Sequence, residues 1–156
     1  NKEVFNIIDL IQNVFDLFEM RAKKKNITLQ FDQIYEFPIF VKGDIERIEQ
    51  VLINLVVNSI KYGKTNGFTT IEVESYGENK FIIKVIDDGE GIKQVHLSRL
   101  FERFYRVDQS RSRDQGGSGL GLSIVKHIIE AHNETILLKS TFGKGSEFSF
   151  TLEKVK

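Results

Sequence analysis

From Asp87 to Gly121 the chain runs for about 35 residues with neither a helical nor a strand period, and with at most one short helix near Gln94 to Leu100. Connections in compact domains are usually a handful of residues, so one this long is a functional lid or a disordered segment. The stretch is rich in Gly and Arg, and the sequence on either side of it is strongly patterned.

Upstream, Phe5, Ile8, Ile11, Phe15, Phe18 and Ala22 recur in steps of three and four, which predicts an amphipathic helix from Phe5 to Lys25. Ile27, Leu29 and Phe31 alternate with polar residues as a strand, and a short extended piece follows around Pro38 to Val41. Gly43-Asp44 supplies a turn and a helix N-cap. The helix from Asp44 to about Tyr62 places Ile45, Ile48, Leu52, Leu55 and Ser59 on one face. After the Asn66-Gly67 turn, a strand through Ile71, Val73 and Ser75 turns at Gly77-Glu78-Asn79 into a second strand, Phe81 to Ile86. Beyond the long stretch come a helix from Leu120 to His132, ended by Asn133, and a hairpin of Thr135 to Ser140 and Glu147 to Leu152. Helix, strands, helix, hairpin, lid, helix, hairpin predicts a two-layer α/β sandwich, a mixed sheet with helices on one face.

The 156 residues fit one domain, and a chain of this length buries about 70% of its unfolded surface without covalent staples. With no Cys, disulfides, thiolate metal sites and cysteine nucleophiles are excluded, in keeping with a reducing compartment. Equal numbers of basic and acidic residues rule out the bulk basic field of a dedicated nucleic-acid binder. That zero averages opposites: Asp87, Asp88 and Glu90 cluster as −3, while Arg99 to Arg113 carries five Arg against Glu102 and Asp108. No apolar run approaches a membrane span or a signal peptide. Beginning on Asn rather than Met, the chain reads as a piece of something longer.

Three features carry chemistry. On the Asp44 helix, Gln50, Asn54, Asn58 and Lys61 line one face at spacings of four, four and three. Amides are poor helix formers, and such a stripe is commonly a solvated face. Here apolar Ile53, Val56 and Val57 make it narrow, so it edges a pocket where amide oxygens suit Mg²⁺ and Lys61 suits a phosphate. Second, the strand Val85-Ile86 ends in Asp87-Asp88-Gly89-Glu90-Gly91-Ile92, a carboxylate followed by glycines that let the backbone turn near a ligand. Alone, Asp-Gly after a strand is often only a turn. Third, Gly116-Gly117-Ser118-Gly119-Leu120-Gly121-Leu122 runs into a helix, exposing free N–H groups to phosphate oxygens. With no strand immediately before it, this is not a dinucleotide-binding turn. Gly143-Lys144-Gly145-Ser146 resembles a P-loop only superficially, since position 138 is Leu where Gly is required; it predicts a hairpin turn.

In combination these residues are recognisable. Asn54, Asn58, Lys61 and Tyr62, then Asp87-x-Gly89-x-Gly91, then Leu100-Phe101-Glu102-Arg103-Phe104-Tyr105-Arg106, then Gly117-Ser118-Gly119-Leu120-Gly121-Leu122 resemble, in that order, the catalytic ATP-binding domain of sensor histidine kinases. The resemblance spans residues 1–156, with a lid over about 92–121. It implies the Bergerat-type fold shared with type II topoisomerases, mismatch-repair ATPases and the large heat-shock chaperones, its mixed sheet mainly antiparallel. It also implies the cofactors ATP and Mg²⁺, with Asn58 as the direct metal ligand and Asn54 supporting metal and phosphate. Lys61 is expected at a phosphate, Tyr62 near the adenine, and Asp87 as acceptor of the adenine amine. Gly89 and Gly91 give the base room, with Ile92 following them in the nucleotide site. Gly117, Ser118, Gly119, Leu120, Gly121 and Leu122 form the lid end that wraps the phosphates, and Arg103 or Arg106 contacts the γ-phosphate. Asp88 departs from the usual Asn, Ser59 and Ser118 replace Ala and Thr, and Asn133 stands where Gly is frequent.

The implied activity is transfer of the γ-phosphoryl group to a histidine on a dimerisation hairpin, which then feeds a response regulator. Related ATPases place a Glu at the position of Asn54 to activate water, a role an amide cannot fill. A hydrolase, or an inactive module that binds nucleotide or a partner, is the alternative. The acceptor hairpin is absent: His96, His127 and His132 lack its context and read as surface or helix-end residues, so the fragment is not expected to phosphorylate itself. No His cluster has metal-ligand spacing, and Lys23-Lys24-Lys25 reads as cations at a helix end. The first helical turn could equally belong to the hairpin. The resemblance further implies a monomeric fragment of a homodimeric kinase. It places the domain in the cytoplasm of a membrane-anchored bacterial sensor, touching neither membrane nor nucleic acid.

Overall fold

The computed structural model describes residues 1–102 and 121–155. Its elements are β1 (Glu3–Asn6), α1 (Ile7–Lys23), β2 (Thr28–Phe31), β3 (Phe40–Gly43), α2 (Ile45–Lys61), β4 (Phe68–Tyr76), β5 (Lys80–Asp87), α3 (Gln94–Leu97), α4 (Gly121–Ala131), β6 (Ile136–Thr141) and β7 (Gly145–Lys154). The strands form one sheet in the order β1-β3-β7-β5-β4-β2, with β6 paired to β7 beside this path. Among the described strands only β2 and β4 run parallel; the other pairs are antiparallel. This is the expected mixed, mainly antiparallel sheet.

Alternation along the strands explains the layering. Ile71 and Val73 of β4, Ile83 and Val85 of β5, and Phe148, Phe150 and Leu152 of β7 share one core with residues of α1, α2 and α4. The outer face of the sheet is charged, with Lys84 bonded to Glu74 at 2.7 Å. The α2 face predicted from sequence is the buried one: Ile48, Leu52 and Leu55 are fully enclosed and Ser59 nearly so.

The start of the chain differs from the sequence expectation. Phe5 belongs to β1, and the helix begins at Ile7. Asn6 explains the shift: its Oδ1 accepts from Ile8 N at 3.1 Å, capping the helix, and from Ile39 N at 3.1 Å, tying that cap to the chain before β3. Phe5 remains buried because β1 pairs with β3 and turns Phe5 into the core opposite Val41. A step of three from Phe5 to Ile8 mimics a helical period across this strand-to-helix junction.

Other local signals are met. Asp44 caps α2, accepting from Arg47 N at 3.4 Å. Asn66 and Asn133 adopt the left-handed conformation, with φ of 68° and 59°. Gly143 and Gly145 form the β6–β7 turn. Of the Lys23–Lys25 run, Lys23 stands in the last turn of α1 as expected of a cation at a helix end, while Lys25 serves the end of α2, its Nζ reaching the carbonyls of Ile60, Lys61 and Gly63 at 3.0–3.1 Å. His132, just beyond α4, is buried: its Nε2 accepts from Asp44 N at 3.0 Å, leaving Nδ1–H for Ile128 O at 2.8 Å.

Candidate functional site

The last turn of α2 and the carboxyl end of β5 meet at one end of the sheet. Asn58, Lys61 and Tyr62 come from the helix, and Asp87, Gly89, Gly91 and Ile92 from the strand and its exit. Gly89 is the point of closest approach: a side chain there would run into the Tyr62 carbonyl, and its Cβ would lie 3.0 Å from the Gly63 Cα. The Glu90 N–H donates to that same Tyr62 carbonyl at 3.4 Å. Two predicted parts of the site, 25 or more residues apart in sequence, are thus joined through main chain.

Asp87 sits opposite Thr69 on β4 and Ser146 on β7, so strands flank it on both sides. Only 8% of it is exposed. Its Oδ1 accepts from Gly89 N at 2.9 Å, and no ammonium or guanidinium among the described residues forms an ion pair with it. Burial pushes its carboxyl up to about 6; the main-chain N–H groups of Gly89 and Ser146 counter this, and Asp88 and Glu90 reinforce it. A buried carboxylate held by main-chain donors alone is an acceptor prepared for a further donor.

Gly91 has φ of 72° and faces the Thr141 carbonyl so closely that no side chain fits. The β6–β7 turn therefore braces the outside of the Asp87–Ile92 loop. Gly143 N donates to Glu90 O at 2.6 Å, and Ile92 N donates to Ser140 Oγ at 2.8 Å. Asp88, the departure from the family pattern, points to the other side and accepts from Phe68 N at 3.0 Å. Its charge thereby anchors the start of β4. Buried Ser59 and Thr69 share a hydroxyl–hydroxyl hydrogen bond beneath this corner, an arrangement that Ala at 59 would not allow.

Along α2 the polar stripe divides. Asn58 is half-buried and its side chain makes no hydrogen bond among the described residues, which leaves its amide oxygen available to a ligand. Lys61 Nζ stands 5.4 Å over the Tyr62 ring. One turn before Asn58, Asn54 donates to Gly121 O at 3.2 Å and so links the stripe to the start of α4, where Leu122 packs on the core. Gln50, roughly 12 Å from Asn58 along the axis, instead lines a cavity of about 540 Å³ with Arg47, Ile124 and His127. The structure thus separates Gln50 from the rest of the stripe. Arg103, Arg106, Gly117, Ser118, Gly119 and Leu120 lie outside the described residues. Among those described, no three His, Asp or Glu side chains group as a metal site.

Sequence reasoning did not foresee Lys25 at the end of α2, Asp88 on β4, or the brace from the β6–β7 turn. Each depends on a partner far away in the chain, and only the cationic run at Lys25 left a local trace.

Residues 43–156 match the family described as histidine kinase-, DNA gyrase B-, and HSP90-like ATPase. Sensor histidine kinase WalK of Bacillus subtilis is 35% identical over 153 residues, which is 97% of this chain and 25% of that protein. The chain thus spans about a quarter of the length of that relative. The catalytic domain of histidine kinase ThkA superposes with a TM-score of 0.84 at 34% identity, covering 99% of this chain and 96% of that one. ThkA in complex with the response regulator protein TrrA matches with a TM-score of 0.79 at 32% identity, over 99% of this chain and 42% of that one. A two-layer fold with the N-terminal helix, the polar α2 stripe and the Asp87 loop in place, together with these likenesses, means that the chain belongs to the histidine kinase-, DNA gyrase B- and HSP90-like ATPase family and is a catalytic domain of the sensor histidine kinase kind.

Proposed function

We propose that the domain binds Mg-ATP and passes the γ-phosphoryl group to the imidazole nitrogen of a histidine on a helical hairpin, leaving ADP. The observation that carries this is Asp87, buried without a cationic partner among the described residues and joined through main chain to the helix that carries Asn58 and Lys61. Such a carboxylate rejects a base that lacks the matching donor. It is the acceptor for the adenine amine, with Tyr62 beside the base.

An available amide oxygen on Asn58 fits a hard cation, and a neutral ligand leaves the cation its charge for the triphosphate. Asn58 would hold Mg²⁺, with Asn54 in support and Lys61 at a phosphate. When bound, Mg²⁺ supplies neutralisation of the phosphate charge. Arg103 or Arg106 would meet the γ-phosphate, and Gly117 to Leu122 would wrap the phosphates with main-chain N–H groups. Asn54 is engaged with Gly121 O and has no basic atom for activating water, which favours transfer over hydrolysis.

The acceptor is a histidine outside this chain. His132 is committed to Asp44 N and Ile128 O. The ThkA–TrrA complex supports a response regulator as the onward partner. No described helix is long and apolar enough to cross a membrane. The likeness to WalK supports a domain of a sensor kinase.

The decisive experiment mixes the domain with Mg-ATP and a matching His-bearing hairpin, with Asn58→Ala and Asp87→Asn alongside. Acid-labile phosphate should accumulate on the hairpin and be lost in both variants. Unchanged transfer by Asp87→Asn would overturn the adenine assignment. Rapid steady ATP turnover by the domain alone would favour a hydrolase instead.

A further inference from the structure

The final turn of α2 has carbonyls with no partner inside the helix, as every helix does. Here the carbonyls of Ile60 and Lys61 at that end, and of Gly63 two residues beyond it, converge on one ammonium, Ile60 O also accepting from Gly63 N at 3.3 Å. Lys25 Nζ lies 3.0 Å from Ile60 O, 3.1 Å from Lys61 O and 3.1 Å from Gly63 O. Lys25 stands in the turn between α1 and β2, about 35 residues earlier in the chain, and is half-buried there. A cation at a helix C-terminus also opposes the helix dipole favourably.

That turn is itself fastened to the α2–β4 connection. Asn66 N donates to Lys25 O at 3.0 Å, Thr28 N donates to Gly67 O at 3.0 Å, and Asn26 Nδ2 donates to Asn66 Oδ1 at 2.8 Å. On the other side of the same connection lies the Asp87 loop. Gly89 abuts Tyr62 O, Glu90 N donates to it, and Asp88 holds Phe68 N. Tyr62 and Gly63 are therefore gripped between Lys25 and the loop that carries Asp87. Both Lys61 and Tyr62 have their main chain within this grip, while their side chains belong to the proposed nucleotide site.

We propose that Lys25 is a positioning residue for Mg-ATP: by gathering the last carbonyls of α2 it sets the distance between the Lys61–Tyr62 turn and the Asp87–Gly89 loop. This rests on that corner being the nucleotide site. Without the ammonium, the carbonyls turn to water and the final helical turn loosens, so the two halves of the site no longer keep one spacing. Lys25 touches neither base nor phosphate in this assignment; it acts through the main chain of residues 60–63.

The test compares wild type with Lys25→Met, Lys25→Arg, Lys25→Gln and Lys80→Met. The last loosens a remote ion pair, Lys80–Glu134 at 2.6 Å, and serves as a stability control. Mg-ATP affinity is read by displacement of a fluorescent nucleotide, at a temperature where urea titration shows each variant folded. Lys25→Met should weaken Mg-ATP binding by about tenfold, and with an acceptor hairpin should raise KM for ATP while kcat at saturation stays within about twofold. Lys25→Arg should recover most of the affinity, and Lys80→Met should lose stability with affinity unchanged. If Lys25→Met does not fold, Lys25→Gln, which keeps a donor, should show the same change at smaller size. Affinity within about twofold of wild type in folded Lys25→Met, or in Lys25→Gln where Lys25→Met does not fold, would overturn the inference, as would an equal loss in Lys80→Met. Loss of binding in Asn58→Ala with none in Lys25→Met would overturn the inference alone. A wild-type domain that binds no Mg-ATP would overturn the functional assignment as well.

Discussion

The two ends of α2 are built on opposite plans. At its start, Asp44 caps the first turn and hands its own N–H to His132, whose second nitrogen is taken by Ile128 O. Polar groups there are closed on one another. At its far end, Asn58 presents an amide with no hydrogen bond among the described residues, and Asp87, on the strand that meets that end, is buried with main-chain donors only among those residues. Glu134 makes the same contrast among carboxylates. Its side chain is 5% exposed, yet it has the Lys80 ammonium at 2.6 Å and the Thr151 hydroxyl at 2.7 Å. Burying a polar group is costly unless it is paired, so a protein that pairs one end fully and leaves the other open has reserved the open end for something else.

The contrast breaks first, and hardest, at Asp87. Asp87→Ala should weaken Mg-ATP binding by about 1,000-fold, because the site would lose the acceptor it was built around. Unfolding by urea should show no comparable loss of stability; a large loss with intact binding would make Asp87 a structural carboxylate like Glu134.

A second effect follows from pH. The folded-state value of Asp87, about 6, lies above its ordinary 3.8, so between these the folded protein holds a proton the unfolded chain has released. Stability from this group is therefore full below about pH 4 and declines by about 3 kcal/mol as pH rises through 6. Nucleotide affinity should move the other way, falling as pH drops below about 6 and the acceptor is neutralised. Asp87→Asn should flatten the stability difference between pH 4.5 and 7.5 relative to wild type, in paired urea titrations. An unchanged difference would remove the special status of this carboxylate.

At the closed end the expected effects fall on folding. His132→Ala leaves the Asp44 N–H and the Ile128 carbonyl without their side-chain partner, and should cost about 2 kcal/mol in urea unfolding with Mg-ATP affinity unaltered. Asp44→Ala removes only a cap and should cost about 1 kcal/mol. A change in nucleotide affinity in either variant, measured where both are folded, would mean that the two ends of α2 are coupled.

Much of this architecture is legible along the chain because its causes are local. Period-3.6 and period-2 patterns mark α1, α2, β4 and β5, and Asp44, Asn66 and Asn133 punctuate them through side-chain capping and left-handed backbone. Tyr62 and Gly63 at the end of α2 meet Asp87 and Gly89 at one corner, whereas Gln50, on the predicted stripe, lines a separate cavity. Phe5 misleads because three-residue spacing continues across a strand-to-helix junction that only the pairing of β1 with β3 defines. The pale signal of Lys25 was a cation near a helix end; the helix it serves is not the one it follows.

The sequence by itself determined the kinds of elements, their order and the residue types available for a nucleotide, since periodicity, capping and motif spacing act over a few residues. Tertiary structure alone decided which partner each of these residues takes. Lys25 reaches α2, Asp88 reaches β4, His132 reaches Asp44, and the β6–β7 turn closes on Gly91. Such contacts join positions between 20 and 88 residues apart, and their energy depends on how the sheet brings the layers together rather than on any neighbour in the chain.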